Sequence, residues 1–158
     1  MKKKILFIDI EGGFGGSSRS LLNIILNLNK KKFTPIVLCK KKGPTTKKLK
    51  ELNIKYFIEP RIFSIIPLKK NNIKKILINL YKIFFINKVV NKIIYIKPDL
   101  LHLNYEGLVP LHYMLIKKEF KKPTVLHFRS SVVRNNFLYK IYAKHINKYI
   151  NHLIFITE

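Results

Sequence analysis

Lys4-Ile5-Leu6-Phe7-Ile8-Asp9-Ile10-Glu11-Gly12-Gly13-Phe14-Gly15-Gly16-Ser17-Ser18-Arg19-Ser20-Leu21 decides how the rest of the chain is read. Lys4 to Ile10 is an apolar run of strand length, and it passes into a loop holding Gly12, Gly13, Gly15 and Gly16. Glycine has no side chain, so such a loop either brings backbone amides close to a ligand or simply turns tightly enough for the next helix to pack. Leu21, Ile25 and Leu28 then share one helical stripe and Asn23, Asn27 and Lys30 another, with Ser17 as the expected N-cap. Strand, glycine loop and helix together open a parallel α/β sheet.

The pattern repeats along the chain. Phe33 to Cys39 reads as a strand, Thr45 to Leu52 as a short helix and Ile54 to Ile58 as a third strand. Asn71 to Lys97 is a long helical stretch closed by Pro98. Asp99 to Asn104, Pro123 to Phe128 and His152 to Thr157 read as strands, with helices at Gly107 to Phe120 and Asn135 to Asn151 between them. The expectation is one Rossmann-like, doubly wound domain of about six parallel strands spanning 1–158. One segment conflicts with itself: Lys75, Asn79 and Lys82 lie on one helical face, but Asn87, Lys88, Asn91 and Lys92 centre on nearly the opposite one. This predicts a break near Ile83 to Asn87, or a helix whose halves contact different things. The run Ile83-Phe84-Phe85-Ile86 is then either core or a contact with a membrane surface.

With 158 residues, 47% of them hydrophobic, the chain is large enough to bury a core. No uncharged apolar run approaches the roughly 18 residues that span a bilayer. Asp9 and Glu11 interrupt the signal-like start, so a cytoplasmic protein is expected. A lone Cys39 supports neither an internal disulfide nor a metal cluster. The net charge of +24 needs care, because 28 of the 32 basic residues are lysine and Ala143 is the only alanine. Lys, Ile and Asn are residues of A/T-rich codons, so composition alone accounts for much of the charge. The chain is arginine-poor and has no recognisable nucleic-acid module, which argues against a nucleic-acid partner. An anionic membrane surface or a phosphorylated substrate remains.

In open parallel sheets ligands sit beyond the carboxyl ends of the strands where strand order reverses. The residues there are the glycine loop, His102, Asn104 and Glu106, and His127, Arg129, Ser130 and Ser131, with Asp9 and Glu11 nearby. No lysine stands between Glu11 and Asn29, so the loop is not a P-loop. From Gly13 and Gly15 the third dinucleotide glycine falls on Ser18, and the second strand ends in Cys39-Lys40-Lys41-Lys42 rather than an acid, so NAD binding is not indicated. A helix N-terminus with free amides remains, suited to a phosphate or carboxylate. His102 and His127 on neighbouring strands are candidates for that site, and Arg129 is a candidate clamp. His112, His145 and His152 read as structural. Neither a Ser-His-Asp order nor an H-E-x-x-H spacing is present, and no metal or cofactor is expected.

Gly15-Gly16-Ser17-Ser18-Arg19-Ser20-Leu21 is similar to the G-G-x-E-R-x-L signature of subfamily-4-like glycosyltransferases with the GT-B fold. Pro98-Asp99-Leu100-Leu101-His102, Val125-Leu126-His127 and Ile154-Phe155-Ile156-Thr157-Glu158 resemble further motifs of that N-terminal domain, in the same order. The resemblance implies that Gly15 and Gly16, with Ser17, approach a sugar-nucleotide phosphate or the acceptor, and that His127 faces the transferred sugar as the catalytic residue. Arg19 and His102 match without so defined a role, Arg129 resembles a variant with His-x-Arg after the fifth strand, and Glu106 is a candidate from its place at the sheet edge. Ser18 stands where the family usually has Glu. The resemblance also implies a second, donor-binding domain, which is absent from 1–158. The expected function is thus half of a glycosyltransferase that moves a sugar from a nucleotide-sugar donor to a glycan or lipid-linked acceptor. That half is expected to be inactive without a C-terminal GT-B partner, and peripheral on the inner face of a membrane. The alternative is a non-enzymatic, basic membrane-surface module.

Overall fold

The computed structural model describes residues 1–10, 12–64, 73–129 and 137–155. Six strands, β1 (Lys3–Asp9), β2 (Phe33–Cys39), β3 (Lys55–Ile58), β4 (Leu100–Leu103), β5 (Thr124–Phe128) and β6 (His152–Phe155), form one parallel sheet in the order β3-β2-β1-β4-β5-β6. Helices α1 (Gly16–Leu26), α2 (Pro44–Glu51), α3 (Ile73–Ile96), α4 (Val109–Lys117) and α5 (Phe137–Tyr149) make the crossovers. The expected doubly wound architecture is therefore the one observed.

Alternation along each strand divides the core into two layers. Ile5 and Phe7 of β1 and Val37 and Cys39 of β2 pack with Leu21, Leu22 and Ile25 of α1 and Leu49 of α2. Leu6, Ile8, Ile36, Leu38, Leu101, Leu103 and Leu126 point the other way, against Val89, Val90 and Ile93 of α3, Leu111 and Leu115 of α4, and Tyr142 and Ile146 of α5. Strands buried on both faces need near-continuous apolar runs, which β1 and β2 supply. The helices stop without glycine: Asn53, Lys97 and Glu119, just beyond α2, α3 and α4, take positive φ of 53°, 51° and 59°. The chain's six glycines are concentrated at the site edge instead.

Two local expectations are corrected, and a third is decided between its alternatives. Ser17 does not cap α1: Gly15, in extended conformation, is the N-cap and makes no side-chain cap bond, and Ser17 lies within the first turn. The long segment does not break, which leaves the other alternative, a continuous helix: α3 runs over 24 residues from Ile73 to Ile96. The phase change is accommodated instead by leaving apolar residues in solvent, with Tyr81 68% and Phe84 84% exposed, while Ile86 and Val89 are buried. The side chain of Ile83 lies outside the described residues. Finally, the helix expected from Gly107 begins as a 3₁₀ turn, Glu106–Leu108, before α4. Among the described residues no helix is long and apolar enough to cross a membrane.

Candidate functional site

Strand order reverses between β1 and β4, and the site is built at the carboxyl ends of β1, β4 and β5. The glycine loop after β1 has two parts. Gly12 has φ of +61°, and a Cβ there would collide with Lys41. The Gly13 carbonyl accepts a hydrogen bond from the Thr45 hydroxyl, and a Cβ on Gly43 would strike the Gly12 carbonyl. This half is geometry: it seats the loop on the β2–α2 connection. Toward α1 the surroundings are open, for a Cβ at Gly16 would meet nothing within 4 Å. The first bond of α1 is from the Arg19 amide to the Gly15 carbonyl, at 3.0 Å. The amides of Gly16, Ser17 and Ser18 precede it at the positive end of an uncapped helix.

Buried polar groups fix this helix end to the sheet. Asp9 closes β1, fully buried, and accepts from the Ser18 hydroxyl at 3.3 and 3.4 Å. A serine at position 18 satisfies the carboxylate, where a glutamate would repel it. Burial, and then the charge of Asp9, push the neighbouring Cys39 thiol up to about 12, so it is not a thiolate nucleophile. Asn104, just past β4, donates from Nδ2 to the Ser17 carbonyl at 3.3 Å. Arg129, just past β5, donates from Nε to the Asn104 carbonyl (2.8 Å) and from Nη2 to Asn104 Oδ1 (2.6 Å), the Ser17 carbonyl (3.3 Å) and His127 Nδ1 (3.2 Å). The Arg129 amide donates to Glu106 Oε2 at 3.0 Å. Arg129 thus ties α1, β4 and β5 together, and Glu106 is 1% exposed, which makes both parts of the frame. Arg19 is on the outside, its Nε donating to the Phe14 carbonyl at 3.2 Å with the guanidinium 5.2 Å from the Phe14 ring.

Two imidazoles complete the edge. His102 pairs in register with Phe7 and with Val125, two residues before His127, so both histidines project to the α1 side of the sheet. Their rings meet edge to face at 6.0 Å, and His102 lies 5.0 Å from the Phe7 ring. His102 is 3% exposed, and neither ring nitrogen has a hydrogen-bond partner; the buried Ser17 Oγ also has none. Unsatisfied buried polar groups cost about 1–3 kcal/mol each and concentrate where a ligand or water completes them. Burial, then the His127 and Arg129 charges, pull His102 down to about 4. Burial, then Arg129, do the same to His127, also to about 4. Both rings are neutral at pH 7, and they offer hydrogen bonds rather than charge.

The structure therefore gathers Gly15, Gly16, Ser17, His102, Glu106, His127 and Arg129 at one edge, with Arg19 on its outer rim. Glu11, Ser130, Ser131, Thr157 and Glu158 lie outside the described residues. Two arrangements escape a reading of the sequence. His112 Nδ1 and His145 Nε2 bond at 2.8 Å, and His112 Nε2 bonds the Thr124 hydroxyl at 3.1 Å. Beyond β3, Glu59 chelates Arg61 (2.5 and 3.0 Å) with Lys92 at 3.6 Å. Neither has a spacing signal, since the partners come from separate elements or from opposite sides of a turn.

No protein-family model matches the chain. No curated protein matches it either. Solved structures do. HepE from Anabaena, solved with UDP, superposes with a TM-score of 0.61 at 20% identity over 97% of this chain and 37% of its own. MurG from Acinetobacter baumannii gives 0.62 at 14% identity over 99% and 42%. A glycosyltransferase from Rickettsia africae gives 0.58 at 18% over 89% and 33%. The chain spans about two fifths or less of the length of these proteins. Its fold is that of the N-terminal half of GT-B glycosyltransferases.

Proposed function

We propose that this chain is the acceptor-side half of a glycosyltransferase that takes its sugar from a nucleoside-diphosphate donor. The observation that carries the reading is the uncapped N-terminus of α1, open at Gly16, beside the buried and unpartnered His102 and the neutral His127. Uncapped amides suit the diphosphate of a donor or an oxygen of the acceptor. His127 is the candidate catalytic contact with the transferred sugar, and His102 packs behind it. Arg129 and Glu106 hold the frame, and Arg19 braces the loop at Phe14. UDP or UDP-glucose occupies the HepE structures, which supports a UDP-sugar as the first donor to try.

Transfer of this kind needs a second wall to close over the donor, exclude water and stabilise the leaving diphosphate. The reading therefore assigns that wall to a C-terminal GT-B domain, and little transfer to residues 1–158 alone. β6 fits a site where more protein packs, with Leu153, Ile154 and Phe155 all exposed. The test is to join or mix the chain with a C-terminal GT-B donor-binding domain and follow nucleoside-diphosphate release over a panel of nucleotide sugars. Release only from the pair supports the reading. No release from any donor, with both halves folded, ends it.

A second reading concerns location. α3, α4 and α5 carry nine lysines and no acidic residue. Between them runs an apolar groove of about 350 Å³ lined by Ile86, Val109, Pro110, Tyr113, Met114 and Tyr142, with Tyr81 and Phe84 exposed on the same helix as Ile86. Lys117 lies 4.9 Å from the Tyr113 ring and Lys88 5.8 Å from the Phe85 ring, an ammonium over an apolar body. This layer suits peripheral contact with an anionic bilayer, where a lipid-linked acceptor would be found. Flotation with phosphatidylglycerol vesicles, absent with phosphatidylcholine alone and weakened by Phe84→Ser, supports it. Absence of binding at low salt removes it.

A further inference from the structure

The contact between Arg129 and His127 determines more than packing. A guanidinium has only donors, so at the 3.2 Å contact between Arg129 Nη2 and His127 Nδ1 the ring nitrogen accepts. A proton on Nδ1 would stand against a cation. The guanidinium is not free to turn away, because Nε is held by the Asn104 carbonyl at 2.8 Å and Nη2 by Asn104 Oδ1 at 2.6 Å. The orientation of that amide is in turn set by the bond from Asn104 Nδ2 to the Ser17 carbonyl. Backbone at the end of β4 and in the first turn of α1 thus fixes the side of His127 that must lack a proton.

We infer that Arg129 is a positioning residue that holds His127 as the neutral tautomer protonated on Nε2, so that His127 meets its ligand as a hydrogen-bond donor and not as a general base. The ligand atom opposite Nε2 is then an acceptor oxygen, such as a sugar hydroxyl lone pair or a phosphate oxygen. The groups around the ring agree. His102 approaches edge to face at 6.0 Å and is itself neutral, and Arg129 opposes a second positive charge. Glu106 spends Oε2 on the Arg129 amide, which draws its carboxylate toward the arginine backbone. The tautomer stands independently of sugar transfer. What it adds to that reading is that deprotonation of the acceptor hydroxyl falls to a group other than His127.

Long-range ¹H–¹⁵N spectra of the ¹⁵N-labelled chain test this without substrate, with the His127 signals identified by their loss in His127→Gln. At pH 7 the expected pattern is an unprotonated Nδ1 and a protonated Nε2, with no titration until below about pH 5. Arg129→Gln is expected to mix the tautomers and move the titration back toward the ordinary histidine value. Arg129→Lys keeps the charge but loses the fork, so it should release the tautomer while titration stays low. A protonated Nδ1 or an imidazolium at pH 7 in the unaltered chain overturns the assignment. An unchanged pure Nε2–H tautomer in the folded arginine variants overturns the role of Arg129. Failure of every transfer assay would leave these spectra as they are, so the two readings fail separately.

Discussion

Two histidine pairs in this molecule are buried to a similar degree and differ in what surrounds their nitrogens. His112 of α4 and His145 of α5 bond to each other at 2.8 Å, and Thr124 at the start of β5 takes the remaining nitrogen of His112 at 3.1 Å. His102 and His127, at the far ends of β4 and β5, meet edge to face at 6.0 Å; His102 has no partner and His127 is bonded from Arg129. One pair closes a helix–helix contact, and the other leaves hydrogen-bonding capacity facing the switch point. Burial of an imidazole is thus no guide to its role. What distinguishes a structural histidine is that its nitrogens are satisfied from within.

Stability separates the pairs most strongly. Replacing His112 with Ala leaves a cavity, orphans the His145 ring nitrogen and leaves the Thr124 hydroxyl only its bond to the Lys122 carbonyl, an expected loss of about 2–4 kcal/mol in urea denaturation. His102→Phe removes two unsatisfied nitrogens while filling much the same volume against Phe7, and is expected to stay within about 1 kcal/mol of the parent or exceed it. Equal losses from the two would break the comparison.

The pH dependence of stability comes next. His102, His112 and His127 all have folded pKa values depressed to about 4. The unfolded chain binds more protons between about pH 6.5 and 4, so stability present above pH 6.5 is lost as pH falls through that window, with two to three protons taken up on unfolding near pH 5. His102→Phe should lower the uptake by about one proton, measured from the slope of unfolding free energy against pH; an unchanged slope would show that His102 is not depressed.

A smaller effect sharpens the satisfied pair: Thr124→Val deletes the hydroxyl partner of His112 Nε2 at nearly constant volume and is expected to cost about 1–2 kcal/mol in the same unfolding experiment. The smallest change in stability belongs to the open side. Gly16→Val should leave unfolding within about 0.5 kcal/mol, because its Cβ meets no protein atom. It should weaken any UDP binding about tenfold by calorimetry, roughly 1.4 kcal/mol. Gly12→Val, by contrast, should fold poorly, since its backbone φ of +61° and the contact with Lys41 both exclude a side chain.

The strand and helix alternation was legible because each element carries its own period. Phe33–Cys39 has the bounds its apolar run predicts, and the parallel order follows once helices of crossover length separate the strands. In α3 residue type does not mark the buried face. Lys92 turns inward to the Ile58 carbonyl at 2.8 Å and toward Glu59, while Phe84 stays outside, so a continuous helix absorbs a phase change that a single buried face could not. Ser17 was a reasonable N-cap by residue type. Capping by Gly15 instead leaves the α1 amides without a competing side chain, which is the feature a ligand would use.

By itself, the sequence determined the doubly wound sheet, the edge where its strand order reverses and the residues that reach that edge, since periodicity and chain reversal are local properties of neighbouring residues. Only the tertiary structure decided which histidines are satisfied, that Arg129 spends its fork on Ser17, Asn104 and His127, and that the glycine loop is half hinge and half opening. Those outcomes depend on which atoms from distant segments come within 3 Å of one another, and hydrogen bonding at that range has no signature along the chain.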